Sequence, residues 1–198
     1  MMLIFHSIAR YGILAIRSSI QIGICRGTVM KKLLIMDEMN YPPGLDEIYR
    51  VAVRGIIIVE GKLLMIESDS GELKLPGGGI DDGENDCQAL VREVKEETGY
   101  DVILNTIEPF GEIEEKRLSI LEPKLWHQIS RLYFCKVNPT KGQCNYTENE
   151  IKSGFRQVLY SIEDALEKSK RVLEKDGVQA WNQREYKTLL LIRDHLRS

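Results

Sequence analysis

Between Leu75 and Tyr100 the chain reads LPGGGIDDGENDCQALVREVKEETGY, three consecutive glycines followed by a run dense in carboxylates. Glu93, Glu96 and Glu97 stand at i, i+3 and i+4, a spacing that gathers them on one flank of a helix. Like charges so placed repel by roughly 0.2–0.5 kcal/mol per pair, and a divalent cation is the natural compensation. Hard carboxylate oxygens on a rigid face suit an ion that bridges to a pyrophosphate, where it polarises phosphoryl oxygens and activates water. Glu84, at the junction of loop and helix, could reach the same ions. Gly77, Gly78 and Gly79 allow the close backbone approach or positive φ that a phosphate-side loop requires. For a glutamate cluster taken alone, a solvated helix face is the competing reading.

The element that must carry these acids is a helix over Asn85–Thr98. Asn85 or Asp86 can cap it, acids crowd its positive N-terminal end, and Gly99 stops it. Cys87, Leu90, Val91, Val94 and Thr98 form an apolar stripe facing the core, with the acids on one flank and Gln88, Arg92 and Lys95 on the other. Before the helix, Val51–Val59 and Lys62–Glu67 read as strands about a Glu60-Gly61 turn, and a short strand ends at Pro76. After it come two strands or a long hairpin, a polar loop TKGQCNYTENE, a strand at 155–160 and two helices, the first starting at Ser161. Strands with irregularly interleaved helices indicate an α/β or α+β sandwich around one sheet.

The spacing of Gly78, Glu84, Arg92, Glu93, Glu96, Glu97 and Gly99 resembles the Nudix box of Nudix hydrolases at every fixed position. Tyr100 departs mildly, since that place is usually aliphatic. The resemblance implies an αβα sandwich around a mixed β-sheet, with the box forming a loop–helix–loop. It also implies hydrolysis of a nucleoside diphosphate linked to another moiety, with Mg²⁺ or Mn²⁺. Carried over by position, Glu93, Glu96 and Glu97 would be metal ligands, one of them or a glutamate outside the box being the general base. Arg92 would orient them by ion pairing, Gly78 would shape the loop against the substrate, and Glu84 and Gly99 would be structural.

Outside the box, Glu148 and Glu150 are candidates for an additional base, or else belong to a solvated loop. Arg50 and Arg54 share a strand face and could clamp phosphates, or line an ordinary exposed face. Trp126, His127 and Tyr133 read more readily as packing residues than as ligands, and Trp181 and Tyr186 as packing. ADP-ribose-type relatives tend to carry a proline past the box, absent around Glu114 and Glu115; dinucleoside-polyphosphate types tend to carry a tyrosine where Lys116 and Arg117 stand. The substrate therefore stays open. A nucleotide-sensing module on the same fold is the alternative function, although such modules usually lack box glutamates.

The totals set the frame. With 198 residues and a net charge of −3, one domain plus appended chain is expected, with no general nucleic-acid surface. Cys25, Cys87, Cys135 and Cys144 form no CxxC pair, so a reducing cytoplasmic setting is the expectation. Residues 1–36 are basic, with no acid before Asp37 and no apolar run long enough to span a membrane. They read as a targeting peptide, a membrane-surface helix, or chain preceding a translation start at Met30. The expected division is a basic extension and linker over 1–40 and a Nudix hydrolase domain over 41–198. The expected partner is a small nucleotide derivative, and a homodimer is compatible.

Overall fold

Val51–Val59 is almost continuously aliphatic, the pattern of strands covered on both faces. The computed structural model, which describes residues 29–175 and 180–198, shows residues 52–57 buried, with Ile58 exposed beyond them. Strand β1 is Lys32–Asp37, β2 is Glu47–Ile56, β3 is Ile58–Val59, β4 is Lys62–Glu67 and β5 is Leu73–Lys74. Helix α1 is Asp86–Thr98, followed by β6 (Tyr100–Val102), β7 (Glu108–Leu118), β8 (Leu125–Phe134) and β9 (Val137–Lys141). Helix α2 is Glu148–Lys152, β10 is Arg156–Tyr160, α3 is Ile162–Leu173 and α4 is Trp181–Leu196.

The main sheet runs β1-β7-β8-β2. Its centre is the antiparallel β7–β8 hairpin, and β1 and β2 flank it in parallel. A second sheet, β10-β4-β3 with β5 also on β4, is antiparallel, and β6 pairs with β9. Glu60 and Gly61, both at positive φ (51° and 76°), form the tight turn between β3 and β4.

Alternation along the strands divides the core in two. Val53, Ile57 and Leu64 pack beneath Ala89, Leu90 and Val94 of α1. Ile56, Leu63 and Met65 pack with Ala165 and Leu166 of α3 and Leu189 and Ile192 of α4. Helices thus cover both faces of the strand layer, as expected of an αβα sandwich with a mixed sheet.

Three local features depart from the sequence expectations. Residues 32–37, assigned to the extension, form edge strand β1, because Leu33 and Leu34 pack on the core and the backbone pairs with β7. The polar segment after β8 contains β9 and, at Glu148–Lys152, a helical turn closed by a Thr147–Glu150 capping box. On α1, Ala89 is fully buried while Cys87 and Val91 are only partly so. The targeting and membrane-surface readings concern residues that lie largely outside those described. No helix among the described residues is long and apolar enough to cross a membrane.

Candidate active site

Helix α1 begins with a reciprocal cap: Asn85 Oδ1 accepts the Gln88 N–H, and Gln88 Oε1 accepts the Asn85 N–H. It ends at Gly99 in the left-handed region. Between these stops the helix presents the acids to the glycine loop, which crosses β2 through Val53 N–H to Gly78 O and Gly55 N–H to Pro76 O. Glycine is needed there for space. A Cβ on Gly77 would collide with the Val53 carbonyl, and one on Gly78 would collide with the Glu93 carboxylate.

Arg92 organises the acids. Its Nε and Nη2 each donate to Glu84 at 2.8 Å, a bidentate pair that ties helix to loop. Nη1 reaches Glu93 Oε1 at 2.7 Å and Glu96 Oε2 at 3.4 Å, and Nη2 also donates to Gly79 O. The pairing with Arg92 holds the Glu84 carboxyl below its usual range, and Glu84 raises the Arg92 guanidinium in turn. Arg92 thus reaches the acids from the neighbouring flank of the helix. A long side chain at i reaches residues at i+1 and i+4, whatever its angular position.

Glu97 is set apart from Glu93 and Glu96. It is 2% exposed, with Oε1 2.6 Å from Lys74 Nζ and Oε2 accepting the Gly77 N–H at 2.8 Å. Burial pushes its carboxyl above the ordinary value, against the opposing pull of Lys74. Lys74 Nζ is also 3.6 Å from Glu150 Oε1. Burial raises the Glu150 carboxyl, but the Thr147 backbone and Lys74 outweigh it and the net value is lowered. Glu148, by contrast, is exposed on the outer side of α2. Of the two late acids, the fold brings only Glu150 to the box.

No group of three His, Cys, Asp or Glu side chains among the described residues is gathered closely enough to hold an ion. The reason is visible: Arg92 and Lys74 stand between the carboxylates. The donor chemistry nevertheless fits a hard divalent cation. Glu93 and Glu96 already converge on one point, Arg92 Nη1, and Gly78 leaves room for the Glu93 carboxylate.

Beside the acids opens a cavity of about 330 Å³. Arg50 and Arg54 of β2, Lys74, Arg117 of β7 and Arg184 of α4 line it, and no carboxylate among the described residues does. Arg54 donates Nη1 to the Gly77 carbonyl, while its Nε has no partner. Burial, then repulsion from Arg54 and Arg184, holds the Arg50 guanidinium below its usual value. Towards the β7–β8 turn the charges are already balanced: Glu115 pairs with both Arg117 and Arg184, and Glu185 with Arg184. The other walls are aromatic and aliphatic, from Trp126, Phe155, Trp181, Ile120 and Leu121, with the Arg117 guanidinium 5.3 Å from the Trp126 ring centre and the Phe155 ring beside the Lys74 ammonium. Trp126, Arg54 and Arg184 supply three of the five buried, unpartnered side-chain polar atoms among the described residues.

Several readings change accordingly. Trp181, assigned to packing, stands on the cavity wall, whereas Tyr186 does pack on the core. His127 sits between Glu47 and Glu114 on the sheet, and the Tyr133 hydroxyl donates to Asp86. Lys74, Arg117, Phe155 and Arg184 were not singled out in the sequence. Nothing local marks them, since they converge from β5, β7, β10's approach and α4.

Residues 48–181 match the family model described as NUDIX domain. The chain belongs to the NUDIX family. A Methanocaldococcus jannaschii protein named ADP-ribose pyrophosphatase is 47% identical over 53 residues, covering 25% of this chain and 31% of that protein. A Bacillus subtilis protein named putative ADP-ribose pyrophosphatase is 28% identical over 121 residues, covering 57% of this chain and 50% of that one. The chain thus spans half or less of the curated relatives it matches. A crystal structure described as ADP compounds hydrolase is similar at 23% identity and a TM-score of 0.50, covering 75% of this chain and 73% of that one. That likeness speaks to the fold. In NUDIX terms, Gly78 to Tyr100 corresponds to the box, and Lys74 on the cavity wall stands just ahead of its glycine loop.

Proposed function

We propose that this chain hydrolyses the pyrophosphate linkage of a nucleoside diphosphate joined to another moiety, with Mg²⁺ or Mn²⁺. The observation that carries the reading is the juxtaposition of the box glutamates with a cavity lined by arginines and aromatic rings, the two meeting at Lys74. Glu93, Glu96 and Glu97 would hold the cation, which supplies positive charge at the phosphates and acidifies water. Arg92 keeps Glu93 and Glu96 aimed, and Arg50 and Arg54 donate to phosphate oxygens. Trp126, Trp181 and Phe155 offer faces for a planar base, while apolar walls exclude water from the linkage. Glu150, ionised at neutral pH, is placed to accept a proton from the attacking water.

ADP-ribose is the first substrate to test, because both curated relatives carry that activity in their names. The experiment measures nucleotide release from ADP-ribose, nucleotide sugars, dinucleoside polyphosphates, coenzyme A and nucleoside triphosphates, with Mg²⁺, Mn²⁺ or chelator. Wild type and Glu97→Gln run in parallel. Turnover of one class, lost with chelator and in the variant, is expected. A folded protein that binds nucleotide without turning any over would be a sensing module instead.

A further inference from the structure

Lys74 ends the two-residue strand β5, just ahead of the glycine loop. Its ammonium stands between two carboxylates from different helices, 2.6 Å from Glu97 on α1 and 3.6 Å from Glu150 on α2. It also lies 4.5 Å from the centre of the Phe155 ring, and its side chain forms part of the cavity wall. One oxygen of Glu97 is thereby engaged by Lys74 and the other by the Gly77 N–H. A carboxylate this buried needs a counter-charge, and Lys74 is the cation that supplies it.

A divalent cation on Glu97 would meet the Lys74 ammonium at the same oxygen edge. Two positive charges within a few ångströms repel strongly in such a poorly solvated place. The ammonium has somewhere to go: a flexible four-carbon stem leads into a cavity with no acid among the described residues on its walls, where an anionic substrate would receive it.

We propose that Lys74 is an exchangeable counter-ion. It holds Glu97 in place before the cation binds, then leaves Glu97 and Glu150 for the substrate's phosphates once the cation arrives. The exchange couples loading of the site to release of Glu150 from its ion pair with Lys74. Lys74 is in this sense a positioning residue. The inference rests on the reading of the site as a divalent-cation-dependent hydrolase, and it concerns a residue outside the box.

The test is Mn²⁺ binding to the substrate-free protein, followed by paramagnetic resonance or calorimetry, for wild type and Lys74→Met. Removing the competing charge should tighten Mn²⁺ binding by about tenfold while lowering the melting temperature in chelator. The Michaelis constant for the substrate found in the panel should rise. A lysine that merely braces the fold predicts the lower melting temperature with Mn²⁺ affinity unchanged or weaker, and that result overturns the proposal. A second measurement needs no variant. Acylation of Lys74 in wild type, read by peptide mass, should speed up when Mn²⁺ is added; an unchanged rate also overturns it. Should wild type bind no Mn²⁺ at all, the hydrolase reading falls together with this one, whereas equal affinities sink only the exchange.

Discussion

Arg92 and Lys74 perform similar electrostatic tasks with different side chains. The planar Arg92 fork fixes Glu84 bidentately and reaches Glu93 and Glu96, so it behaves as part of the scaffold. Lys74 holds Glu97 by a single point charge. Arg92→Lys should accordingly lose the fork and lower kcat/KM by roughly tenfold or more, a loss of at least about 1.4 kcal/mol of transition-state stabilisation. Steady-state kinetics beside a melting curve would check it; full activity would remove Arg92 from the site's framework. Glu150 and Glu148 make a sharper pair. Glu150→Gln should reduce kcat by roughly 10²-fold or more, the usual range for a lost general base, and Glu148→Gln should change it little. Equal effects, or none, would dismiss Glu150 as the proton acceptor.

At the scale of elements, a well-terminated helix is docked on a loop that leaves no room for a side chain at Gly77. The Asn85 cap satisfies the Gln88 N–H at the start of α1, and its loss as Asn85→Ala should cost about 1 kcal/mol of stability. Denaturant unfolding would measure that, with little change expected in kcat because the acids lie two turns further on. Gly77→Ala is a different case. The residue has φ 137°, and a Cβ would meet the Val53 carbonyl, so β2 and the loop must separate. The variant should lose several times the stability lost with the cap and be inactive even where folded, since Glu97 depends on the Gly77 N–H. These two variants separate the stability of the helix from the geometry of the loop.

For the molecule as a whole, the parallel edge strand β1 is joined to the sheet by side-chain charges as well as by its backbone ladder. Glu114 on β7 accepts from Lys32 of β1 and lies 3.0 Å from both Lys116 Nζ and His127 Nε2. Chiefly through its bond to Lys32, its carboxyl is held well down, at about 2 rather than 4.5. A carboxyl depressed in the folded state stabilises above its ordinary value and loses that contribution as the pH falls towards the folded value. Stability should therefore fall between about pH 4.5 and about 2, and part of that fall should vanish in Glu114→Gln. Hydrogen exchange across 32–37 would show whether β1 is released first; equal pH profiles for the two proteins would rule Glu114 out as the cause.

The legible part of this protein was its local part. Helix α1, its caps, the glycine loop and the spacing of Glu84, Arg92, Glu93, Glu96 and Glu97 all lie within one short segment, and helical periodicity relates such neighbours directly. The β-branched, apolar run Val51–Val59 likewise marked strands. What the tertiary structure decided is which distant residues meet that segment. It brought Lys74 and Glu150 to Glu97, left Glu148 outside, and assembled Arg50, Arg117, Trp126, Trp181 and Arg184 around one cavity. It also drew residues 32–37 into the sheet. Pairing of strands and docking of helices far apart in the chain set these meetings, and no local pattern records them, because a side chain's periodicity tells which face it is on and not what lies opposite.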